Sequence, residues 1–157
     1  LSADDLSIAN LETTLSTAKN YADAPFVFAG KPEYAAILRL GSVEVVNVAN
    51  NHSYDLGQAG FDQTLQSLES ERIGYFGNGH IDRRTIKGIE IVNLGFTGGR
   101  FSVGAPMKRA IAAEKKNDNL VFVSFHWGIE GSNVPIAEQR ELGRAAIDAG
   151  ADWVIGR

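Results

Sequence analysis

The stretch VEVVNVA at residues 43–49, followed by NNHSYDLG at 50–57 and QAGFDQTLQSL at 58–68, decides how the chain reads. The first segment is β-branched and mostly apolar, the composition of a buried strand. In the last, Phe61, Leu65 and Leu68 recur at the i, i+4, i+7 spacing that gives a helix one apolar face. A strand and a helix separated by a polar turn rich in asparagine predict an α/β fold, with the turn at the edge of the sheet.

Upstream, Leu6 to Ala9 reads as a short strand, and the polar segment 12–31, with Pro25 beside Phe26 and Phe28, reads as a connecting loop. Pro32 suits a first helical position and Gly41 a C-terminal cap, bracketing a short helix. Downstream, Gly74 is expected to end the helix that carries Leu68. Tyr75 to Gly77 and Ile89 to Phe96 then read as strands, with Lys87-Gly88 a tight turn before the second. Residues 105–116 predict a helix. Leu120 to Phe125 is a continuous apolar run of the kind found in strands covered on both faces. Pro135 opens a helix that places Leu142, Ala145, Ala146 and Ala149 on one face, Gly150 closes it, and Asp152 to Ile155 is the last strand. This alternation predicts parallel strands joined by right-handed crossovers and covered by helices. No internal repeat or interdomain linker interrupts it, so one domain over 1–157 is expected.

Composition narrows the function classes. The 157 residues are 44% hydrophobic and 22% charged, with a formal net charge of -4, and the basic residues are scattered except at the pairs Arg83-Arg84, Lys108-Arg109 and Lys115-Lys116. No electrostatic footprint for nucleic acid results. The absence of cysteine removes disulfides, thiolate metal sites and a cysteine nucleophile together. No apolar run approaches membrane-spanning length, and the first residues lack the basic-then-apolar pattern of a leader.

Three strands are followed at once by residues of catalytic type: Asn10 and Glu12, then Asn50, Asn51 and His52, then His126. Parallel strands end on one edge of their sheet, where open α/β sheets place ligands, so these residues are expected to converge there. Taken singly, Asn10 and Glu12 are ordinary turn residues, and His126 beside Trp127 is an ordinary packed histidine. The polar loop directly after an apolar strand tips the reading of Asn50 to His52 toward function. Asp55, three residues beyond His52, serves either to orient its imidazole or to cap the following helix. His80 reads as a turn residue, and Gly77-x-Gly79 and Gly98-Gly99 lack the fingerprint of a dinucleotide site. Glutamate, amide oxygen and imidazole together form a ligand set suited to Mn, Fe or Zn.

At these residues the sequence resembles the CapA-type capsule, or poly-γ-glutamate, synthesis proteins of the calcineurin-like metallophosphoesterase superfamily. The matching segments are LSIANLET (6–13), VANNHSYDLG (48–57) with Gly60 and Thr64 beyond, FHWGIE (125–130) and IDAGADWVIG (147–156). The resemblance implies a layered α/β/β/α sandwich with a divalent metal centre, of one or two ions, at the strand ends. By it, Glu12 is a bridging metal ligand with Asn10 nearby, Asn51 and His126 are further metal ligands, His52 is the leaving-group acid or a phosphate-contacting histidine, and Glu130 neighbours the site. Asp55 and Asn50, read from the residues themselves, are site candidates beside them. The family's upstream Gly-Asp strand and downstream Gly-His-x-Pro-His segment have no counterpart in residues 1–157. A fragment lacking the first strand and the C-terminal part is therefore expected.

The resemblance also implies a role in making an anionic surface polymer of poly-γ-glutamate type at the bacterial cell surface or outside the cytoplasm, although this chain shows no anchor or signal. The partners it implies are the polymer or a phosphorylated substrate, together with the ligase and membrane subunits of a synthesis complex. A general metal-dependent phosphoesterase and a non-catalytic accessory subunit are the alternative readings.

Overall fold

A computed structural model of the chain describes residues 3–19, 21–116 and 118–156, and it divides into two units, Leu1–Phe76 and Gly77–Arg157. The first unit runs β1 (Ile8–Asn10), β2 (Thr14–Leu15), β3 (Ala29–Gly30), a 3-10 turn (Pro32–Tyr34), α1 (Ala35–Leu40), β4 (Val45–Asn47), α2 (Gly57–Ser70) and β5 (Gly74–Phe76). Strands β1, β4 and β5 form a parallel sheet with β4 in the centre, and Asn10 stands opposite Asn47 in its register. Val46 and Val48 pack with Phe61, Leu65 and Leu68 of α2 and with Ala35 and Leu38 of α1, so the predicted apolar helix face does meet the sheet. Burying such aliphatic and aromatic side chains contributes about 1.5–3 kcal/mol each.

Three local expectations change in this unit. Segment 12–31 is more than a loop: β2 and β3 pair in parallel, with Thr14 opposite Ala29. The helix at Pro32 begins as a 3-10 turn before becoming α1. Gly74 does not end α2; the chain leaves that helix at Ser70, Arg72 takes the left-handed conformation (φ 60°), and Gly74 opens β5. Local glycine and proline signals mark breaks in structure without saying which element lies on either side of the break.

The second unit contains β6 (Asp82–Ile86), β7 (Ile89–Thr97), α3 (Arg100–Glu114), β8 (Asn119–His126), α4 (Ala137–Asp148) and β9 (Trp153–Gly156). The sheet order is β6-β7-β8-β9, antiparallel between β6 and β7 and parallel thereafter. Strand β6 departs from the sequence reading, because DRRTI has no run of apolar residues. It is an edge strand, and charged residues on an edge discourage pairing with other chains. Lys87 (φ 49°) and Gly88 (φ 86°) form the tight turn, both in the left-handed region that a two-residue hairpin loop requires.

One face of this sheet carries Val92, Leu94, Val121, Val123 and Phe125 against Val103, Met107 and Ile111 of α3 and Leu142 and Ala146 of α4. The expectation that Leu120 to Phe125 is fully covered on both faces is corrected. Leu120 and Phe122, which alternate to the other side, are only partly buried, and Phe122 meets the exposed ring of Trp153. Helix α3 starts earlier than predicted and contains Pro106. Parallel strands and helices in both units make the fold class α/β. No helix among the described residues is long and apolar enough to cross a membrane.

Candidate functional site

The C-terminal ends of β1 and β4 lie side by side, and the Leu11 N–H donates to the Asn47 carbonyl as the chain leaves the sheet (3.1 Å). Beyond β4 the buried Asn50 ties the two exits together. Its amide nitrogen donates to Asn10 Oδ1 (3.1 Å) and to the Leu11 carbonyl (2.9 Å), while its Oδ1 accepts the His52 backbone N–H (3.1 Å). The Asn10 amide in turn donates to Glu12 Oε2 (2.8 Å). Ser53 Oγ accepts the Asn50 N–H at 3.1 Å and donates to the Val48 carbonyl. An asparagine at position 50 thus uses both donors and its acceptor, a combination that neither aspartate nor leucine can offer.

This knot holds the loop that carries His52. The imidazole Nδ1 lies 2.7 Å from Asp55 Oδ2, and the same oxygen accepts the Phe28 backbone N–H at 2.6 Å. Asp55 is only 4% exposed. The choice between orienting the imidazole and capping the helix is decided here: α2 has no side-chain cap, and the Asp55 carboxylate is engaged by His52 and Phe28. A carboxylate only accepts, so Nδ1 carries the proton and Nε2 is the ring nitrogen left for chemistry. Gly57 completes the motif for a backbone reason, since it enters α2 at φ 67°, where a side chain is strained. Asn51, by contrast, is exposed, with no side-chain hydrogen bond among the described residues.

His126 and Glu130 belong to the second unit. His126 is the last residue of β8, and its carbonyl accepts the Thr97 hydroxyl (3.2 Å). Next to it Trp127 stacks on Phe125, with ring centroids 4.1 Å apart and planes 2° from parallel. A Cβ at Gly156 would come within 2.5 Å of Trp127 Nε1, which accounts for the glycine there. Glu130 is exposed in the loop beyond.

All 157 residues match the family described as bacterial capsule synthesis protein PGA_cap. The chain belongs to this family. The PGA biosynthesis protein CapA of Bacillus subtilis is 31% identical over 98% of this PGA_cap chain and 47% of its own length. The capsule biosynthesis protein CapA of Bacillus anthracis is 30% identical over 90% of the chain and 41% of its own. The chain therefore spans a little under half the length of these curated relatives. A crystal structure of a hypothetical protein from Thermus thermophilus superimposes with a TM-score of 0.60, covering 99% of this chain and 56% of that one at 21% identity, which shows a shared fold.

Of the residues expected to hold a metal, Glu12 offers a carboxylate and Asn51 an amide oxygen in the first unit, donor types that suit a hard or intermediate divalent ion, while His126 belongs to the second unit. Their number does not make a complete centre: among the described residues, no three of His, Asp and Glu gather as a ligand cluster. Sequence reasoning missed three residues that shape the site. Thr14 Oγ1 donates to the His52 carbonyl (3.1 Å), Ser53 locks the turn, and the Phe28 ring stacks on the His52 imidazole (4.0 Å between centroids, 21° between planes). The aromatic patch around Pro25 was the one visible signal for Phe28.

Proposed function

We propose that the protein carrying this chain acts in building or exporting a capsule polymer of poly-γ-glutamate type, and that His52, oriented by Asp55, is the proton-transfer group of a phosphoesterase-like site. The 2.7 Å contact between His52 Nδ1 and Asp55 Oδ2 at the strand ends carries the mechanistic part of this reading. The names of the Bacillus relatives, both capsule or PGA biosynthesis proteins, support the biological part.

Asp55 fixes the tautomer and the ring; as water adds to phosphorus and the P–O bond to the alcohol breaks, the imidazolium form of His52 gives its Nε2 proton to the departing alcohol oxygen and is left as the Nδ1–H imidazole. Proton transfer from a positioned side chain contributes about 10²–10⁴-fold to rate. The buried Asn50 keeps the loop rigid, so the imidazole does not have to be ordered when substrate arrives. Glu12 and Asn51 are the oxygen donors in this unit that would hold a divalent ion, Mn, Fe or Zn, and such an ion would polarise a phosphoryl oxygen.

The test is hydrolysis of phosphomonoesters and phosphodiesters by the full-length protein with added Mn. Turnover is expected, with a loss of about 10²–10⁴-fold in His52→Ala. Metal analysis of Glu12→Gln and Asn51→Ala proteins should show reduced occupancy. Failure of both ester classes with every divalent metal tried would remove the phosphoesterase reading. It would favour an accessory subunit that binds the anionic polymer at the cell surface alongside the ligase and membrane subunits.

A further inference from the structure

Phe28 lies in neither hydrophobic core, and 43% of it is exposed, so burial in the interior does not account for where its ring sits. Its backbone is pinned on both sides. The N–H donates to Asp55 Oδ2 at 2.6 Å, and the carbonyl accepts the Thr14 N–H at 3.0 Å, one residue before β3 pairs with β2. Thr14 also donates its hydroxyl to the His52 carbonyl, and Ala22 N–H reaches the Asp55 carbonyl at 2.8 Å. The contacts close a ring: Phe28 to Asp55, Asp55 to His52, His52 to Thr14, and Thr14 back to Phe28. Across that ring the Phe28 phenyl group lies on the imidazole, with centroids 4.0 Å apart.

We propose that Phe28 is a positioning residue for His52. Its N–H holds the carboxylate oxygen that selects the tautomer, and its phenyl ring covers one face of the imidazole and prevents the ring from rotating out of line. Two bonds converge on Asp55 Oδ2, so the carboxylate cannot swing without breaking both. With Nδ1 engaged and one face covered, Nε2 is the position left for a reacting partner. The proposal rests on the reading of His52 as the proton-transfer group, and it adds the element that keeps the imidazole aligned. A stacked aromatic pair of this kind is enough to shift a rotamer population severalfold.

The test is ¹⁵N and ¹H NMR of the histidine side chains in the full-length protein, with Phe28→Leu and Phe28→Tyr variants. In the unchanged protein the His52 nitrogens should show one tautomer, with the proton on Nδ1, and the carbon-bound imidazole protons should be displaced upfield by the phenyl ring current. Phe28→Leu keeps the backbone N–H but removes the ring. The upfield displacement should disappear, and the two nitrogen resonances should move toward each other as the second tautomer becomes populated. Phe28→Tyr should restore both signatures. Ester turnover should follow the same pattern, with kcat lowered about two- to tenfold in Phe28→Leu, KM unchanged, and recovery in Phe28→Tyr.

A folded Phe28→Leu protein whose His52 keeps the single Nδ1–H tautomer and unchanged turnover would overturn the proposal. So would an unchanged protein with no ring-current displacement at His52, a result that needs no variant to fold. If His52→Ala retains full turnover while the Phe28-dependent signatures are present, the acid reading of His52 fails and the positioning of its ring by Phe28 stands.

Discussion

Asn50 and Asn51 are chemically identical neighbours with opposite surroundings. Asn50 is 4% exposed and satisfied on both ends of its amide, whereas Asn51 faces solvent. Replacing Asn50 by Asp removes the NH₂ and turns an acceptor toward two other acceptors, Asn10 Oδ1 and the Leu11 carbonyl. Leaving buried polar groups unsatisfied costs about 1–3 kcal/mol each, so Asn50→Asp is expected to destabilise the protein by at least ~2 kcal/mol in urea unfolding. Asn51→Asp should change stability by less than ~0.5 kcal/mol, as at other exposed positions. A comparable loss for both would contradict the division of labour drawn from their burial. The sequence motif identified both positions as site candidates, but their different environments depend on Asn10 and Leu11, 40 and 39 residues away.

Helix α2 and the β6–β7 hairpin show how element packing accounts for residues that a motif only marks. Thr64 Oγ1 accepts the Leu15 N–H at 2.9 Å and donates to the Gly60 carbonyl at 2.8 Å, joining α2 to β2. A Cβ at Gly60 would lie 2.5 Å from Leu56 Cβ and 3.1 Å from Thr14 Cγ2. Gly60→Ala, normally favourable in a helix, should therefore destabilise by about 1–3 kcal/mol, the usual cost of overpacking. Gly60 and Thr64 thus serve the seating of the helix. In the hairpin, Lys87 holds φ 49° without the tolerance of Asn or Gly for that region. Lys87→Asn is expected to raise stability by up to ~1 kcal/mol, read from the denaturant midpoint, because the turn geometry is kept and the side-chain strain falls. The Lys87-Gly88 turn was legible in the sequence, but the strand before it was not, since an exposed charged edge lacks the apolar alternation that reveals strands.

At the level of the whole chain, acid stability should be governed by paired carboxylates in the second unit. Burial works to raise the Asp152 pKa, but hydrogen bonds from Lys115 (2.7 Å) and the Val121 N–H (2.7 Å), with the Lys115 charge, lower it below its ordinary value. The Glu114 carboxyl is lowered chiefly by its hydrogen bonds with Arg83, burial opposing and the charges of Arg83 and Lys116 assisting. A carboxyl depressed on folding adds stability that is present above its unfolded pKa, about 4, and is lost as pH falls through the depressed folded value. Unfolding monitored by circular dichroism should therefore show stability declining below about pH 4, and Asp152→Asn should flatten that decline; an unchanged acid limb would show that the pair does not contribute. Local composition and periodicity were enough to predict the α/β class, the apolar faces of α2 and α4 and the position of Asn50 to His52 at a strand end, and the resemblance of short motifs supplied the family, because each depends on residues close together along the chain. Tertiary structure decided the rest. It engaged Asp55 with His52, brought Phe28 onto the imidazole, buried one asparagine of a pair and added an antiparallel edge strand. Those outcomes depend on hydrogen-bond and stacking partners from distant segments, and no local preference specifies which segments will meet.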